Sequence, residues 1–526
     1  MKQAPSALRS TLVVSVARVA NAILALLIGV LSARYFGTSV AKDCYVIAQA
    51  VPNLATMILV GGVWSTLLVM LAEIGQHEGI AGQRAFVRRT LRQVSFLLAP
   101  VLLLALAFPE RVIGLIAPGF GPTRVELAGR LLRFTIFTTL GTVFFTVIRC
   151  LFETRSNFIV PISVNLLVPI ASLVALVSLV DRIGVLSLAA GPLLGMGLAV
   201  PLLGSIALMT LRDPEGFIPR PRAPLLHKER HRHFWAAFIP MSIGANCGQI
   251  NLLIDNAFAS YLPTGSITML GFAFVIVLNA EQLTIHSLVE VAFPRLVAAG
   301  LRTAKDLSQQ LQSTLRYMYL VTTPISVGCV VFGAPLARLL FERGEFQASS
   351  THGVARLLAC YSLEILFMGH VLALSRVLIA RKRFAPLAWL SLGAILTNAL
   401  LDYVLMRLLG VNGIALATTL VSGLQCVALS MLLRRDAVTL RTTLPSDFLA
   451  KVVGSASIMG ALVLGWASAF EHALDTSREI PRLIEVLSGL ALGAATYVGL
   501  LHALRIEEAR SILRRFLAAA RPLARP

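Results

Sequence analysis

Charged residues are scarce in this chain, and their scarcity decides its broad class. Only 14% of the 526 residues are Asp, Glu, Lys or Arg, whereas a soluble domain carries about 25%. Apolar residues make up 57% of the chain, and the mean hydropathy is +0.80. The composition excludes a soluble globular protein. It predicts an all-α polytopic membrane protein, because helices satisfy their own backbone hydrogen bonds in lipid.

Sequence motifs for catalysis and for metal binding are missing as well. The chain has no Gly-x4-Gly-Lys-Ser/Thr loop and no soluble stretch that could form a nucleotide-binding domain, so transport driven by its own ATP hydrolysis is not expected. No Ser/His/Asp arrangement and no paired Asp motif of a sugar transferase occurs, so we do not expect an enzyme. The six cysteines are scattered without metal-ligand spacing, so we predict neither a metal nor a cofactor.

Acidic residues are fewer than basic ones, with 26 Asp and Glu against 46 Lys and Arg. The basic residues lie in short loops between apolar runs. This placement is typical of membrane topology and of contact with anionic lipid, and we do not expect nucleic acid as a partner. Because positive loops stay inside, both termini and the basic stretch 213–233 are predicted to be cytoplasmic.

The apolar runs form an internal repeat. We count fourteen that reach the roughly 17 to 25 residues needed to span a bilayer. The first six and the next six are related by an offset of 226 residues, as between Ala33–Thr38 and Ala259–Thr264. Six is an even number, so the two repeats run parallel. We predict two pseudo-symmetric six-helix lobes and two C-terminal helices. The boundaries are 1–212 for the first lobe, 213–233 for a linker, 234–436 for the second lobe, and 437–526 for the last helices and a basic tail.

Short motifs in a fixed order carry a family resemblance. They are Ser32–Gly37, Asp43, Pro52–Leu54, Ala117–Phe120, Phe258–Leu262, Gly265–Ser266, Leu340–Phe346 and Gly413–Thr418. The series resembles the MviN/MurJ flippases of the multidrug/oligosaccharidyl-lipid/polysaccharide exporter superfamily. The resemblance implies a bacterial inner-membrane protein that moves an undecaprenyl-diphosphate-linked glycan to the periplasmic leaflet. Its implied partners are that lipid-linked glycan, anionic bilayer lipids and proteins of glycan synthesis.

Charged residues, most of them basic, that lipid II flippases typically carry in the first two helices are absent here. Ile28-Gly29 stands in place of Arg-Asp, Thr56-Met57 in place of Arg-Arg, and Gly61 in place of Glu. A diphosphate needs cationic or backbone donors when it leaves water. We therefore predict recognition through sugar hydroxyls, with a surface-polysaccharide unit as the first substrate and lipid II as the alternative. A MATE-like cation-coupled antiporter is the alternative from another class.

Polar residues inside the predicted spans are candidates for contact with the substrate, because a charge at mid-bilayer costs about 2.5–3.5 kcal/mol on insertion scales. Arg18 and Asn21 lie one turn apart in the first helix. Arg18 either binds phosphate in bidentate fashion or extends to the inner interface. Gln49 and Asn53 in the second helix and Gln249 in the seventh are further cavity candidates.

The eighth predicted helix carries a polar stripe. Asn279, Gln282, His286 and Glu290 fall within about 80° of arc at about 100° per residue. The stripe either lines a cavity that contacts sugar hydroxyls, with His286 and Glu290 as a proton-sensitive pair, or makes interhelical hydrogen bonds. Glu281 points the opposite way and is a candidate ion or proton site.

The remaining candidates are charged residues near the outer helix ends. Asp255 in the seventh helix either binds a cation or proton or caps the outer interface. Asp43, Glu342, Arg343 and Glu345 either close a periplasmic gate through ion pairs or are solvated turn charges.

Overall fold

The structure, a computed structural model, describes residues 4–212, 247–300, 303–381, 383–434, 445–474 and 478–511. Contacts divide the chain into two compact units, Met1–Ile267 with Arg343–Glu345 and Thr268–Glu342 with Phe346–Pro526. The described ranges contain helices, turns and short connections, and no strand. The predicted linker 213–233 lies outside the described residues, and so the predicted lobe boundary stays a prediction.

Helices form the framework of both units. The first unit contains α1 (Ala4–Phe36), α2 (Val40–Ala107), α3 (Pro109–Ile116), α4 (Pro122–Glu153), α5 (Ile159–Asn165), α6 (Leu167–Ile183), α7 (Leu186–Thr210) and α8 (Cys247–Ala259). The second unit begins within α9 (Ser266–Glu281), which continues through a π-helical turn (Gln282–His286) into α10 (Ser287–Gly300). It then contains α11 (Ala304–Val331), α12 (Gly333–Phe341), α13 (Ala348–Ala380), α14 (Phe384–Leu409), α15 (Val411–Arg434), α16 (Ser446–Ala473) and α17 (Glu479–Ala503).

The number of possible membrane spans differs from the predicted fourteen for definable reasons. Within the described residues, 11 helices are long and apolar enough to cross a membrane, or 12 if α11 and α12, bent by 74°, form one span. Two predicted spans, Tyr45–Leu71 and Leu91–Phe108, both lie in the 68-residue α2, apart from Phe108, which is its C-cap. At about 1.5 Å per residue α2 is far longer than the bilayer core of about 30 Å, and it breaks at Gly79, where φ is 63°. The predicted span Phe234–Leu262 begins outside the described residues. The all-α membrane class is therefore confirmed, and fourteen spans remain compatible with the structure.

The packing of α2 on α4 is organised around a proline. Pro52 has no backbone N–H, so the carbonyl of Ala48 one turn earlier loses its helical donor. The hydroxyl of Thr135 on α4 donates to this carbonyl at 3.1 Å, and that of Thr139 donates to the Pro52 carbonyl at 3.3 Å. The Thr135 side chain thus replaces the hydrogen bond that the proline removes, and Thr139 adds a further bond between α4 and α2. This contact fixes the stretch of α2 that carries Gln49.

The two C-terminal helices pack onto the second unit. The Tyr497 hydroxyl of α17 donates to the carbonyl of Leu320 on α11 at 2.9 Å, in a buried position. Arg482 of α17 donates to the carbonyl of Glu342 just after α12. The helices that fall outside the sequence repeat are therefore integrated into the second unit.

Candidate functional site

A cavity of about 280 Å³ lies in the first unit, where α1, the end of α4 and α5 meet. Its lining consists of Arg18, Asn21, Phe145, Arg149, Glu153, Phe158, Pro161, Ile162 and Asn165. The structure thus brings together the two candidates from the first helix, Arg18 and Asn21. The cavity combines apolar walls with a few convergent polar groups, which is the usual composition of a ligand site.

Three side chains, two at the end of α4 and one in α2, form a hydrogen-bonded cluster in this region. Arg149 donates from Nε to Glu153 Oε1 at 2.5 Å, one helical turn away. Trp64 of α2 donates from Nε1 to Glu153 Oε2 at 2.7 Å. The Arg149 guanidinium also lies 5.9 Å from the Trp64 ring centroid, a cation–π distance. The Glu153 side chain is only 7% exposed, and the ion pair with Arg149 balances the charge of its carboxylate.

Polar residues on α2 form a short hydrogen-bonded series. Gln49 donates from Nε2 to the Tyr45 hydroxyl at 2.9 Å, and that hydroxyl donates to the Leu188 carbonyl at 3.2 Å. Gln49 is half-buried and engaged within the first unit, whereas Asn53 is exposed. Lys42, which sequence reasoning did not select, is buried and lies 4.9 Å from the Tyr45 ring centroid.

The stripe predicted for the eighth helix runs along α9, the π-helical turn and α10. Asn279, Gln282 and Glu290 are exposed, and His286 is half-buried. Asn279 donates to the carbonyl of Val275 at 2.7 Å. Within the described part of the chain, the side chains of His286 and Glu290 make no hydrogen bond, and the two are not paired with each other. The stripe lies on a side of the second unit that is not packed.

Glu281 lies on the opposite, packed side of the same helix. It is buried, and its Oε1 atom has no hydrogen-bond partner among the described residues. On α8, Asp255 is buried and Gln249 is half-buried. The structure places Asp255 in the first unit and Glu281 in the second.

The four gate candidates occupy different surroundings. Asp43 is buried and accepts a hydrogen bond from the backbone N–H of Gly265 at 2.6 Å. Glu342 accepts from Arg482 at 3.1 Å and from Thr351 at 2.6 Å within the second unit.

The three residues Arg343–Glu345, directly after Glu342, belong by their contacts to the first unit. The backbone N–H of Glu345 donates to the carbonyl of Arg34 at 2.9 Å, while its side chain is exposed. Arg343 is half-buried. Gly344 between them has φ of 57° and approaches the Arg34 carbonyl closely.

Sequence analysis missed two pairs of polar residues that the structure shows to be hydrogen-bonded. Arg149 and Glu153 are four residues apart at the end of an apolar run, and this spacing is a signal that could have found them. A second missed pair lies in α14, where Asn398 Nδ2 donates to Asp402 Oδ2 at 2.9 Å and both residues are fully buried. Their four-residue spacing within an apolar span is likewise visible in the sequence.

Comparison with known proteins identifies the family. The family model described as lipid II flippase MurJ matches residues 32–485. The lipid II flippase MurJ of Burkholderia cenocepacia is 24% identical over 485 residues, which cover 90% of this chain and 92% of the relative.

Solved structures agree on the fold. A lipid II flippase MurJ in an inward closed conformation superposes with a TM-score of 0.75 at 22% identity, covering 94% of this chain and 99% of that one. An inward-facing multidrug resistance MATE family transporter gives a TM-score of 0.68 at 14% identity, covering 79% of this chain and 94% of that one. Because the family model covers most of its length, the chain belongs to the MurJ family of multi-pass membrane flippases.

Proposed function

We propose that this chain moves lipid II, an undecaprenyl-diphosphate-linked glycan, from the cytoplasmic to the periplasmic leaflet of a bacterial inner membrane. The observation that carries the proposal is the match to the lipid II flippase family over residues 32–485. The Burkholderia cenocepacia relative, named for the same activity, aligns over 92% of its own length. A similarity that spans both units supports the same kind of cargo and not only a shared helix arrangement.

This proposal reverses the order of substrates that the sequence predicted. The preference for a surface-polysaccharide unit rested on a few positions in α1 and α2, where the basic residues typical of lipid II flippases are missing. The similarity to flippases named for lipid II extends over most of the chain and weighs more. The first unit also retains basic residues at other positions, since Arg18 and Arg149 both line the cavity. A phosphate group can therefore find a cation even though Ile28 and Gly29 are neutral.

A surface-polysaccharide unit remains the second candidate because of the neutral α1 and α2 positions. Met57 is 44% exposed, and the Cβ of an added side chain at Gly29 would meet no atom within 4 Å. These positions thus present neutral surface where lipid II flippases typically carry charge. Such a surface favours a cargo that is recognised through its sugars. An antiporter has weaker support, because a likeness at 14% identity to a MATE transporter speaks for the fold alone.

The membrane potential is a sufficient source of work for an anionic lipid. Moving one charge through the field is worth about 2.3 kcal/mol per 100 mV. With the predicted orientation, an inside-negative potential assists outward movement of a diphosphate.

Complementation tests the proposal directly. The full chain is expressed in cells depleted of their own lipid II flippase, and growth is measured together with the amount of lipid II that an impermeant probe reaches on the outer leaflet. We expect both to recover. Normal membrane abundance without recovery, combined with restored surface polysaccharide in cells that lack a polysaccharide flippase, would establish the second candidate instead.

A further inference from the structure

Glu281 is an acidic residue in the packed interior of the second unit. It is the last residue of α9 and is 5% exposed. Within the described residues its Oε1 atom accepts no hydrogen bond, and no Lys or Arg forms an ion pair with it. An ionised carboxylate without a partner is unfavourable in such surroundings, whereas the protonated acid is neutral. The burial of Glu281 therefore favours the form that carries a proton.

The helix becomes irregular directly after this residue. The π-helical turn Gln282–His286 begins at the next position. Single π-helical turns within α-helices are rare and occur frequently at functional sites. In this turn the hydroxyl of Thr284 donates to the carbonyl of Ala280 at 2.6 Å. The buried acid thus lies where the backbone departs from regular α-helical geometry.

The helix that carries Glu281 lies beside α13 and runs in the same direction. A Cβ added at Gly353 would lie 2.5 Å from Met269 Sδ. A Cβ added at Gly369 would lie 3.7 Å from Ile285 Cδ1. The two contacts are the same number of residues apart on both helices, so one register holds along the pair. Glu281 precedes Ile285 by about one turn, and it therefore lies at the level of α13 about one turn before Gly369.

Other titratable side chains on the neighbouring helices are buried at or near this level. On α13, Glu364 is 3% exposed and His370 is 1% exposed. On α11, the Tyr319 hydroxyl forms a hydrogen bond with His370 Nδ1 at 3.2 Å. Within the described residues, His370 Nε2 has no hydrogen-bond partner. The surroundings of Glu281 therefore contain a second acid and an imidazole.

Basic side chains on α10, α11 and α13 do not compensate a charge at this level. Those at the surface are Arg295, Lys305 and Arg356. Arg316 pairs with Glu508 at 2.6 Å. Arg376 is about three turns beyond Glu364 along α13, and its guanidinium lies 5.2 Å from the centroid of an aromatic ring of α10. Within the described residues, a proton is thus the simplest way to neutralise the buried acid.

We propose that Glu281 is a proton-binding site of the second unit. A proton from water forms an O–H bond with the carboxylate, and the neutral acid that results is the form buried in this structure. When a conformational change exposes the side chain, the O–H bond breaks and the proton returns to water. One step of the conformational cycle then depends on pH as well as on the membrane potential. The site does not depend on which lipid is transported, so it goes beyond the proposed function.

Infrared spectroscopy of the purified full chain in detergent tests for the proton directly. A protonated carboxylic acid has a carbonyl stretch that an ionised carboxylate lacks, and exchange into heavy water shifts this signal. Glu281→Gln removes the acid and keeps the shape of the side chain, so at neutral pH the spectrum should lose the signal of one protonated acid. Glu126→Gln is the matched control and should keep the wild-type signal, because Glu126 is 58% exposed and pairs with Arg130.

Thermal unfolding at a series of pH values gives a second readout. If Glu281 is protonated in the folded chain and ionised in the unfolded chain, the folded state binds one more proton. Stability then falls as the pH rises from about 4, where the unfolded side chain ionises, to the pH at which the folded site releases its proton. The melting temperature of the wild type should therefore fall more steeply over this interval than that of Glu281→Gln, and Glu126→Gln should follow the wild type.

A second variant keeps the proposal testable if Glu281→Gln cannot be recovered as folded protein. Glu281→Asp retains the acid, so it should shift the infrared signal of the protonated acid without abolishing it. An infrared signal that is unchanged in either variant overturns the proposal. A wild-type signal that appears only after sodium ions are removed also overturns it, because the carboxylate then binds a metal cation.

Neither measurement uses the transported lipid, and this separates the inference from the proposed function. Failure of the chain to restore lipid II transport would remove the proposed function and leave the proton site. Rescue of transport, together with an unchanged infrared signal in Glu281→Gln, would remove the proton site alone.

Discussion

Asp43 accepts a hydrogen bond from the backbone N–H of Gly265, 222 residues later in the chain, at 2.6 Å and in a buried position. Gly265 closes the turn before α9, with φ of +91°. Both residues belong to the first unit and lie in motifs that carry the family resemblance. The carboxylate therefore holds the turn before α9 to the beginning of α2.

Gly265→Ala should destabilise the protein. An added Cβ would lie 2.8 Å from the Thr38 carbonyl oxygen, and the positive φ is itself strained for alanine. Strain of this kind costs about 1–3 kcal/mol. The apparent melting temperature of the purified protein in detergent should fall accordingly. Gly29→Ala is the control, because its Cβ would meet nothing within 4 Å. Equal melting temperatures for the two variants would contradict the prediction.

A second prediction concerns the buried ion pair beside α17. Arg482 is 8% exposed, and its guanidinium donates both to the backbone carbonyl and to the side-chain carboxylate of Glu342. Removing one partner of a buried pair leaves an uncompensated charge and costs about 3–5 kcal/mol. Arg482→Gln should therefore lower the melting temperature strongly, and adding Glu342→Gln should recover part of the loss.

The exposed pair between Lys451 and Asp447 is the control for this experiment. Exposed pairs contribute about 0–1 kcal/mol, so Lys451→Gln should change little. If Arg482→Gln were as mild as Lys451→Gln, the buried pair would not hold α17 in place.

The helical membrane fold could be predicted from the sequence because long apolar runs leave no other solution in lipid. The geometry of the connections could not. The two predicted spans Tyr45–Leu71 and Leu91–Phe108 lie on either side of a break at Gly79, and nothing in the local pattern shows that helical geometry continues from each span up to this one residue. The restoration of hydrogen bonding around Pro52 by Thr135 depends on which helices pack together, and that is a property of the tertiary structure.

The candidate site could be predicted in part. The free-energy cost of placing polar groups inside the bilayer identified Arg18 and Asn21 as candidates, and both line the cavity. Arg149 and Glu153 were overlooked because they lie at the end of a span, where charged residues are common and cost little free energy. Only the structure shows that Trp64, from a distant part of the chain, donates a hydrogen bond to the second carboxylate oxygen of Glu153.

Topology gives a third prediction, and it rests on the positive loops of the sequence. Thr264 is exposed at the turn before α9, and we expect it on the periplasmic side. Arg230 belongs to the basic stretch 213–233, outside the described residues, and we expect it on the cytoplasmic side. Single cysteines introduced at the two positions should react with an impermeant reagent from opposite sides of the membrane. Labelling of both from one side would refute the predicted orientation.

The last prediction concerns the polar stripe along α9 and α10. Glu290 is exposed and His286 half-buried, and within the described residues neither side chain has a hydrogen-bond partner to lose. Glu290→Gln and His286→Ala should therefore leave melting temperature and membrane abundance unchanged. If the stripe contacts the glycan during transport, each variant should still lower the transport rate, by about tenfold where a charge-assisted hydrogen bond is lost. Leu283→Ala, an exposed apolar neighbour on the π-helical turn, is the control and should transport normally. The readout is outer-leaflet lipid II at matched protein abundance. A fall in abundance that accounts for the whole loss of activity would assign the stripe to packing, and unchanged transport in both variants would remove it from the transport path.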